Sequence, residues 1–392
     1  MGRKTFKVAV KPEVMKWARE TIGATPEEVA DKLKIALATV EAWELGRGQP
    51  TLRDLEKLSD FYKRPLAAFL LPEPPTEAPL PDDFRVLPSG KGQRISRKLR
   101  LAIREARRLQ AIATDLMKEM GLEITVEIGK ANLSDDPEGL AKIERARLGI
   151  DLKEQFHWKD EGEAFLRWRK AIENLNILVF QLPIPVRSAR GFSLLGEGLP
   201  AIVVSSSDAI QARIFTLFHE YAHLLLGAAG ICLPHEEDPD ADVKEIETFC
   251  NRFASALLVP REDFKEDNEV KAIARQPMPS DEDISRIARR FKVSRQVIWY
   301  KLLAIGLLSQ DKYREKLRMW EEEAQKKPKR SYGRQPPPAK RCIQRRGPKF
   351  TSLVLDARER DIITYSDVAD YLGIRLQYLE EVQSHLGKVA GG

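Results

Sequence analysis

The sequence feature that most constrains the fold is an apolar stretch at residues 215–226, FTLFHEYAHLLL. It contains His219 and His223, four positions apart, with Glu220 directly after the first histidine. On an α-helix, side chains at i and i+4 lie ~40° apart around the axis, so both imidazoles can bind one ion. The Glu220 side chain points ~100° away from His219, too far to bind the same ion but able to reach a water molecule beside it.

Apolar side chains surround this motif on nearly every side, which predicts a helix that is buried on most of its faces. These residues are Phe215, Leu217, Phe218, Leu224, Leu225 and Leu226. A carboxylate and two imidazoles in such surroundings need partners, because isolated polar groups in a core are costly. A shared Zn²⁺ would satisfy all three groups. The alternative is a chance HExxH pattern in an ordinary core helix.

The composition describes a globular protein with more than one domain. A chain of 392 residues has room for two or three domains, and its hydrophobic content of 43% and charged content of 32% are ordinary for globular proteins. The formal net charge of +6 is mildly basic. Such a charge allows contact with nucleic acid, although a plain basic surface explains it equally well.

The cysteines and the N-terminus predict a cytoplasmic protein. Cys232, Cys250 and Cys342 show no C-x-x-C spacing, which argues against a disulfide scaffold and against a cysteine-type zinc site. The first ten residues, MGRKTFKVAV, lack the apolar core of a signal peptide, and the chain has no long uncharged apolar run. We therefore expect no membrane partner.

Residues 1–72 have the pattern of a series of short helices. Thr25 and Glu28 form a capping box at the start of one helix, and Thr51 and Asp54 form a similar start for another. Together with the AWE and QPTL segments between them, this order resembles the helix-turn-helix domain of XRE-type (lambda-repressor-like) proteins. The resemblance implies a five-helix domain that binds DNA.

The resemblance also implies which residues contact DNA. In that fold the helix beginning near Ala38 enters the major groove. We expect Thr39 and Gln49 to form hydrogen bonds with DNA. Arg47 and Arg53 are expected to bind phosphate groups.

Two carboxylates qualify this prediction. Glu41 and Glu44 lie on the expected reading helix, which has no lysine or arginine of its own. Carboxylates that face phosphates are unfavourable, although glutamate can accept a hydrogen bond from cytosine. The rival interpretation is a domain of the same fold that binds a protein partner or packs on the rest of the chain.

The sequence changes character after this domain. Residues 73–92 are proline-rich and predict an extended linker. Residues 94–120 then show the apolar spacing of one long helix. Its other faces carry the basic residues Arg97, Lys98, Arg100, Arg104, Arg107 and Arg108. Such a surface is either solvated or faces phosphate.

A small sheet is predicted just before the HExxH helix. Residues 137–176 have helical patterns, and three runs typical of strands follow at 176–182, 191–195 and 200–205. The third run leads directly into the HExxH helix. We expect this strand to offer its edge to an extended peptide, which would bind by strand addition.

Catalytic zinc usually takes three protein ligands and a water, so the two histidines need a third partner. The acidic residues between 235 and 242 are candidates on spacing alone. We favour Glu247, because it falls within the apolar sector of the helix predicted at 243–259, where a carboxylate needs a cation. Asn251, one turn later, can then hydrogen-bond the Glu247 carboxylate or a neighbouring helix.

The HEYAH helix and the later segments Glu247, Asn251–Ala254 and Leu257–Pro260 resemble the ImmA/IrrE family of zinc metallopeptidases. The resemblance runs from about residue 95 to residue 320. It implies a compact gluzincin-like fold that cleaves a repressor or antitoxin protein. Many members of the family carry an XRE domain in front, which is the order expected for this chain.

The resemblance assigns roles by position. It implies that His219, His223 and Glu247 bind Zn²⁺, or Mn²⁺ in its place, and that Glu220 is the catalytic acid and base. Tyr221 points almost opposite the histidines, so we expect it to pack rather than to stabilise an oxyanion. The sequence shows no clear oxyanion donor, and His235 is a weak candidate.

The fold class that follows is α+β and mostly helical. We expect an N-terminal five-helix XRE-like domain at 1–72 and a metallopeptidase core at 93–325 with a small sheet and the HExxH helix. Helical segments resembling helix-turn-helix units are expected towards the C-terminus.

The C-terminal third gives three further predictions. Residues 280–310 carry a helix-turn-helix pattern with clustered arginines, for which a structural or partner-binding role is favoured over DNA contact. Residues 326–349 are rich in lysine, arginine and proline and predict a flexible linker, with sequence-independent attraction to DNA as the alternative. Residues 350–392 predict a small helical segment, in which residues 364–373 resemble half of a helix-turn-helix.

Two functions follow from these observations. The first is a zinc endopeptidase, coupled to a helix-turn-helix domain, that cleaves a repressor or antitoxin in a stress, phage or mobile-element response. The second is a DNA-binding regulator or antitoxin-like protein whose metallopeptidase fold is not used for catalysis. The intact Glu220 and the three ligand types favour the first. A third possibility is a transcription factor with a chance HExxH motif. The presence of bound metal would distinguish the first two functions from this third one.

Overall fold

A computed structural model of the protein describes residues 6–75, 95–326 and 336–390, apart from residues 124, 127, 197, 228–230, 233–240, 275 and 277. The proline-rich linker predicted at 73–92 lies mostly outside these residues. Described residues up to Glu105 form one compact unit, and those from Ala106 onwards form a second. Each unit has its own apolar core.

The first unit is a bundle of short helices. Its elements are α1 (Pro12–Glu20), α2 (Pro26–Leu33), α3 (Leu37–Glu44), α4 (Leu52–Tyr62) and a 3-10 turn at Leu66–Leu70. Both predicted capping boxes are present, because the hydroxyls of Thr25 and Thr51 accept hydrogen bonds from the N–H groups of Glu28 and Asp54. These bonds satisfy groups that a helix start leaves unpaired. The predicted five-helix XRE-like domain is therefore confirmed.

A tight turn joins α2 to α3 and forms the helix-turn-helix. Lys34 adopts a left-handed conformation with φ of 58°, and the Ile35 N–H donates to the Ala30 carbonyl at 3.1 Å. This arrangement closes the last turn of α2 and redirects the chain. Val29 and Val40 are buried on either side of the turn, so apolar packing holds the two helices together.

The predicted long helix is present as α5 (Arg97–Glu119), but its basic residues do not all face solvent. Arg97 donates to the Phe61 carbonyl at 2.9 Å and stacks 3.8 Å from the centre of that ring. Arg104 donates to the Tyr62 carbonyl at 2.6 Å. These carbonyls end α4, where a cation offsets the helix dipole. For these two arginines the prediction of a solvated or phosphate-facing surface is wrong, because they cap a neighbouring helix.

The second unit is mostly helical and contains one small sheet. After α5 its elements are α6 (Pro137–Arg147), α7 (Leu152–His157), α8 (Glu161–Asn174), β1 (Leu178–Leu182), β2 (Gly191–Leu194), β3 (Ala201–Ser205), α9 (Ile210–Leu225), β4 (Ile231–Cys232), α10 (Ala241–Leu258), α11 (Arg261–Glu266), α12 (Asn268–Ile273), α13 (Asp281–Phe291), α14 (Arg295–Ala304), α15 (Gln310–Lys326), α16 (Pro338–Arg346), α17 (Pro348–Glu359), α18 (Tyr365–Leu372), a 3-10 turn (Leu376–Tyr378) and α19 (Leu379–Ala390). The predicted α+β, mostly helical fold class is confirmed. No helix in the described part of the chain is long and apolar enough to cross a membrane.

The sheet has four strands in the order β1-β3-β2-β4. β3 pairs in parallel with β1 and antiparallel with β2, and β2 pairs antiparallel with β4 at Gly191 and Phe192. Every residue of β1, β2 and β3 is buried, as expected for strands covered on both faces. Because β3 has a partner on each side, the prediction that it offers a free edge to a peptide is wrong. The edge strands of the described sheet are β1 and β4.

The helix that follows β3, α9, is packed on several sides. It lies against α8, α10, β2 and β3. Trp168 of α8 meets Phe218 edge-on, with ring centroids 4.8 Å apart, and Trp158 packs on the same indole at 5.3 Å. Ile214 and Leu217 are fully buried. The predicted burial of the HExxH helix on most of its faces is confirmed.

The helix-turn-helix pattern predicted at 280–310 is formed by α13 and α14, but its second helix is covered. Lys292 supplies the left-handed turn residue, with φ of 57°. Trp299 of α14 is fully buried and packs against Trp320 of α15, with ring centroids 5.9 Å apart. The buried residues of α14 are Val297, Ile298, Trp299, Lys301 and Leu302, which leaves this helix little free surface for a DNA groove.

The arginines of the same segment bind other groups of the unit. Arg286 contacts Glu269 at 2.9 Å, and Arg290 contacts Asp267 at 2.8 Å. Arg295 stacks 4.8 Å from the centre of the Trp320 ring. These contacts favour the structural role over DNA contact.

Helices occupy much of the stretch predicted as a flexible linker at 326–349. Residues 327–335 lie outside the described residues, but α16 begins at Pro338. The Gln344 carbonyl at the end of α16 accepts a hydrogen bond from Gln181 Nε2 of β1 at 2.9 Å. The linker prediction is therefore wrong from Pro338 onwards, because α16 has an apolar side that packs against the edge strand β1.

Candidate metal centre

The helix α9 carries the predicted histidines and glutamate into the interior. His219, Glu220 and His223 are 1%, 0% and 3% exposed. The apolar residues around them drive the helix inwards, and the polar side chains are buried with it. Three buried polar groups within two helical turns must find partners.

The two histidines converge with Glu247, which lies on α10. The Nε2 atoms of His219 and His223 are 3.2 Å apart. Glu247 Oε2 lies 3.2 Å from His219 Nε2, and Glu247 Oε1 lies 3.2 Å from His223 Nε2. The structure thus brings together the three residues that the sequence suggested as metal ligands.

The donor set and its spacing fit a zinc ion. Two imidazole nitrogens and one carboxylate form a ligand set that catalytic zinc takes in other enzymes. Ligand atoms placed ~2.0–2.1 Å from a tetrahedral ion lie ~3.3 Å from one another. The three observed separations of 3.2 Å are close to that value. Mn²⁺ prefers more oxygen ligands, so the donor set favours zinc.

Asn251 fixes the orientation of His219. Asn251 Oδ1 accepts a hydrogen bond from His219 Nδ1 at 3.1 Å. With the proton held on Nδ1, the lone pair of Nε2 points towards Glu247 and His223. We expected Asn251 to contact the Glu247 carboxylate or another helix. The structure shows the second of these contacts, because α10 lies alongside α9 and Asn251 faces the first histidine.

The charges at this site depend on one another. Burial alone would raise the pKa of Glu247, but hydrogen bonds and charge from His219 and His223 outweigh burial and lower it. Burial lowers the pKa of His219, but the hydrogen bond and charge of Glu247, the charge of Glu220 and the hydrogen bond with Asn251 together outweigh burial and raise it. The carboxylate therefore stabilises positive charge between itself and the imidazoles. A divalent cation supplies such charge while the ring nitrogens keep their lone pairs.

Glu220 lies beside the ligand group rather than within it. It is fully buried, and neither of its carboxylate oxygens accepts a hydrogen bond of ordinary geometry from the described residues. Burial raises the pKa of Glu220 to about 7, while His223, His219 and the nearby Ser193 hydroxyl oppose the rise. A carboxyl group with a pKa near neutrality can both take and release a proton.

The strand β2 approaches α9 closely, which the sequence did not reveal. A Cβ added at Gly191 would lie 2.5 Å from Thr216 Cγ2 and 2.7 Å from the Val203 carbonyl oxygen. The missing side chain therefore lets β2 pack against the turn that carries Glu220. Ser193, two residues later, is fully buried and faces the Glu220 carboxylate. The glycine at the start of the strand was the available signal for this close contact.

Tyr221 points away from the metal centre, as predicted. Its hydroxyl donates to Glu144 Oε2 at 2.6 Å, and its ring packs near Phe253 with centroids 6.2 Å apart. The tyrosine therefore ties α9 to α6. His235, considered as an oxyanion donor, lies outside the described residues.

The alternative third ligands considered from the sequence also fall outside the described structure. The acidic residues at 236–240 are not among the described residues, nor is the side chain of Asp242. Within the described part of the chain, the cluster of ligand atoms is formed by His219, His223 and Glu247.

The residues predicted to contact DNA lie in the first unit. Arg47 and Arg53 are exposed, and Thr39 of α3 is half-buried. Gln49 Oε1 accepts a hydrogen bond from the Val10 N–H at 2.8 Å, so its carbonyl end is engaged within the domain. The amide NH₂ of Gln49 keeps its capacity to donate.

Glu44 was expected to face DNA phosphates from the reading helix α3, but its carboxylate binds a residue of the same domain. Arg19 binds its carboxylate with two bonds, Nε to Oε1 at 2.6 Å and Nη2 to Oε2 at 2.7 Å. Both side chains are about one-tenth exposed. This paired contact ties α1 to α3. Of the two carboxylates of concern on α3, Glu41 is the exposed one.

Replacing Glu44 by alanine should destabilise the first unit by ~2–3 kcal/mol, because Arg19 would keep a largely buried charge without its partner. Glu41→Ala removes an exposed carboxylate from the same helix and should change stability by less than ~0.5 kcal/mol. Hydrogen exchange of peptides covering α1 and α3 measures the local free energy of unfolding. Equal effects of the two variants would contradict the structural role of the pair.

Comparisons with known families agree with this geometry. Residues 172–303 match the model of the IrrE N-terminal-like domain, a peptidase family, and residues 15–69 match a helix-turn-helix model. No curated protein matches the chain. The resemblance drawn from the sequence is confirmed: the chain joins a DNA-binding helix-turn-helix domain to a metallopeptidase-type domain. His219, His223 and Glu247 all lie within residues 172–303.

Proposed function

We propose that this chain is a zinc-dependent endopeptidase that cleaves a transcriptional repressor or antitoxin protein. The observation that carries the proposal is the convergence of His219, His223 and Glu247 at separations of 3.2 Å beside the buried Glu220. The match to a metallopeptidase-type domain supports it. The helix-turn-helix match at 15–69 supports a place in transcriptional regulation, in a stress, phage or mobile-element response.

In this proposal His219, His223 and Glu247 hold the zinc ion, with Mn²⁺ as the alternative. When bound, the ion supplies a Lewis acid that polarises a peptide carbonyl and lowers the pKa of water. Asn251 keeps the Nδ1 proton of His219 in place, so that Nε2 faces the ion.

Glu220 is the proton carrier. Its carboxylate takes a proton from the attacking water and passes it to the departing amine nitrogen. A pKa of about 7 suits both steps, because the group can bind and release a proton near neutral pH. Burial excludes bulk water from the carboxylate and keeps the proton within the site.

The sheet limits where an extended substrate can lie. The outer edge of β1 is covered by α16, and β3 is paired on both sides. The β4 side of the sheet is next to β2, which contacts α9 at Gly191 and Ser193. We therefore place the substrate strand on the β4 side, where strand addition would bring a peptide towards Glu220.

The two matched regions have separate tasks in this proposal. Residues 1–72 bind DNA through Thr39, Arg47, Gln49 and Arg53, and residues 93–325 cut the protein substrate. The protein acts in the cytoplasm, where repressors and antitoxins are found. The basic Arg47 and Arg53 are exposed, as phosphate contacts require.

A peptide library tests the proposal and does not require the substrate to be identified first. The full chain is loaded with Zn²⁺ and incubated with peptides from a digested cellular proteome, and new N-termini are identified by mass spectrometry. We expect a defined set of new termini that disappears after chelation and returns when Zn²⁺ is added. Repressors and antitoxins that contain the preferred sequence are then tested intact.

The same experiment separates the catalytic function from the alternative. A chain that binds zinc tightly but cuts neither the library nor any intact repressor or antitoxin would support a regulator that does not use its metallopeptidase fold for catalysis. A chain that retains no zinc or manganese after mild purification would contradict both metal-binding functions.

A further inference from the structure

The C-terminal helices repeat the sequence of the N-terminal helix-turn-helix. The segment TYSDVADYLGI at 364–374 follows the pattern of TPEEVADKLKI at 25–35. Five features occupy the same positions in both segments: the first threonine, an acidic residue three positions later, the VAD tripeptide, a leucine and the final isoleucine. The helix-turn-helix match covers 15–69 and leaves this second copy without an assigned role.

The structure repeats the helix start. Thr25 and Thr364 both occupy the position before the first helical residue, with extended backbones. Each hydroxyl accepts a hydrogen bond from the third residue of its helix, Glu28 in one motif and Asp367 in the other. The carboxylates of these residues accept from the threonine N–H groups in return. Both helices therefore begin in the same way.

The structure also repeats the turn. Lys34 and Gly373 are the left-handed turn residues, with φ of 58° and 64°. The N–H of the next isoleucine, Ile35 or Ile374, donates to the carbonyl five residues back at 3.1 Å or 3.0 Å. The chain then enters its second helical element two residues later in both motifs. The two segments share one backbone conformation as well as one sequence pattern.

Exposure of the second helical element distinguishes this copy from the motif of α13 and α14. There α14 is covered by α15, and Trp299 is fully buried. In α19, Val382 is the buried residue among the described side chains, and Glu380, Gln383 and Ser384 are exposed. Arg375 and Gln377, which lead into α19, are exposed as well. The reading element of the C-terminal motif therefore faces outwards.

A cluster of arginines lies beside the exposed motif. Arg341, Arg345 and Arg346 lie on α16, which packs against α19. A Cβ added at the turn residue Gly373 would lie 3.1 Å from Arg346 Nη2, so this guanidinium borders the turn. Burial lowers the pKa of Arg345, and the charges of Arg341 and Arg346 lower it further. Like charges gathered in this way favour an anionic ligand.

Two carboxylates on the same element work against phosphate but do not exclude DNA. Glu380 holds the register that Glu41 holds in the N-terminal motif, which belongs to the matched helix-turn-helix domain. A glutamate at this place in a reading helix can accept a hydrogen bond from cytosine. Glu381 lies one residue further along the exposed element. The three arginines of α16 outnumber these two carboxylates.

We propose that the C-terminal helix-turn-helix, residues 364–390, together with the arginines of α16, is a second binding site for duplex DNA. Arg375 and Gln377 stand where the reading element begins and contact base edges. Arg345 and Arg346 contact phosphates and set the register of the motif on the duplex. The site acts independently of the N-terminal domain and does not depend on peptide cleavage.

The test uses the full chain with its N-terminal contacts removed. In an Arg47→Ala, Arg53→Ala background, binding to a labelled random-sequence duplex is measured by fluorescence anisotropy over a range of salt concentrations. We expect this background to retain DNA binding. Adding Arg345→Ala and Arg346→Ala should weaken binding ~10-fold or more at low salt and reduce the salt slope by ~1–2.

A matched control comes from the covered motif. Arg289 and Gln296 are exposed residues of α13 and α14, and replacing both by alanine in the same background should leave affinity and salt slope unchanged. Sequences selected from a random duplex library should change when Arg375 and Gln377 are replaced by alanine, because these residues contact bases. Both are exposed, so their loss does not disturb the core.

Three results would overturn the proposal. The first is a background variant that binds no duplex DNA. The second is DNA binding that survives replacement of Arg345, Arg346 and Arg375 in a variant with an unchanged melting temperature. The third is binding that disappears when the lysines and arginines of 326–330 are neutralised while the α16 and α19 variants bind normally. That third result would assign DNA contact to the basic segment, and a protein partner would then be the better occupant of α19.

Discussion

Replacing Glu220 by glutamine should leave zinc bound and strongly reduce the rate of peptide cleavage. Glu220 is not one of the three converging ligands, so its loss removes no donor from the ion. Glutamine has nearly the same size and remains uncharged, so its burial costs no more than that of the glutamate. It cannot carry a proton, and we expect turnover to fall by ~10²–10⁴-fold. Turnover is measured on a reporter peptide taken from the library, and zinc content by mass spectrometry.

Two further variants make this result specific. Glu245→Gln changes an exposed carboxylate on α10, close in sequence to the ligand Glu247, and should keep both zinc and turnover. His223→Ala removes a ligand and should lose both. If Glu220→Gln cut the reporter at the wild-type rate, Glu220 would not be the proton carrier and the proposed mechanism would be wrong.

The candidate metal centre could be predicted from the sequence because the spacing of its two histidines is local. Helix periodicity alone places His219 and His223 on one side and Tyr221 on the other, and the structure agrees with both. Glu247 followed from its place in the apolar sector of its own helix. These inferences use only the position of each residue on its own helix and the expectation that buried polar groups find partners. They do not require knowledge of how α9 and α10 pack.

Contacts that depend on packing between elements were not predictable in the same way. Asn251 lies on the expected helix, but its partner is His219 rather than Glu247, because the rotation of α10 against α9 decides which group it meets. The position of Ser193 beside Glu220 requires the order of the strands. The order β1-β3-β2-β4 places the third strand in the centre, which sequence order does not indicate.

The partners of several arginines could not be predicted from the sequence either. Arg97 and Arg104 had the spacing of a basic helix face, yet they bind the carbonyl groups that end α4. Arg19 had no visible role and forms two bonds to Glu44. A guanidinium has five donors and a long stem, so its partner is set by whatever acceptors the tertiary fold brings near. Composition and spacing therefore predict that such residues are charged, but not what they bind.

The C-terminal helices are held by a buried ion pair that the sequence did not reveal. Arg169 and Glu173, one turn apart on α8, are 1% and 5% exposed, with Nε and Oε1 3.0 Å apart. Arg169 also donates to the Gln344 carbonyl at the end of α16 at 2.8 Å. Glu173 accepts from the Lys349 N–H at the start of α17 at 3.2 Å. The positive Arg169 thus lies at the C-terminal end of α16, and the negative Glu173 lies at the N-terminal end of α17. Both placements are favourable for the helix dipoles.

Gly347, between α16 and α17, is the position at which this arrangement is most easily broken. Its backbone has φ of 88° and ψ of 150°, a region essentially restricted to glycine. A Cβ there would lie 2.5 Å from Arg169 Nη2 and 2.9 Å from the Val179 carbonyl oxygen. We expect Gly347→Ala to lower the free energy of unfolding of the second unit by ~3–5 kcal/mol, from backbone strain together with displacement of the buried ion pair.

Gly149→Ala separates these two causes. Gly149 also has a positive φ of 69°, but beyond its own chain neighbours no atom lies within 4 Å of an added Cβ, so the substitution should cost ~1–2 kcal/mol from backbone strain alone. Thermal unfolding by calorimetry should show a fall in melting temperature of ~10 °C for Gly347→Ala and a much smaller one for Gly149→Ala. Equal falls would mean that the ion pair does not hold the segment. A larger fall for Gly347→Ala is expected because α16 packs on the edge strand β1 of the second unit. Displacing α16 and α17 would leave that edge bare and would leave Arg169 and Glu173 without their backbone partners.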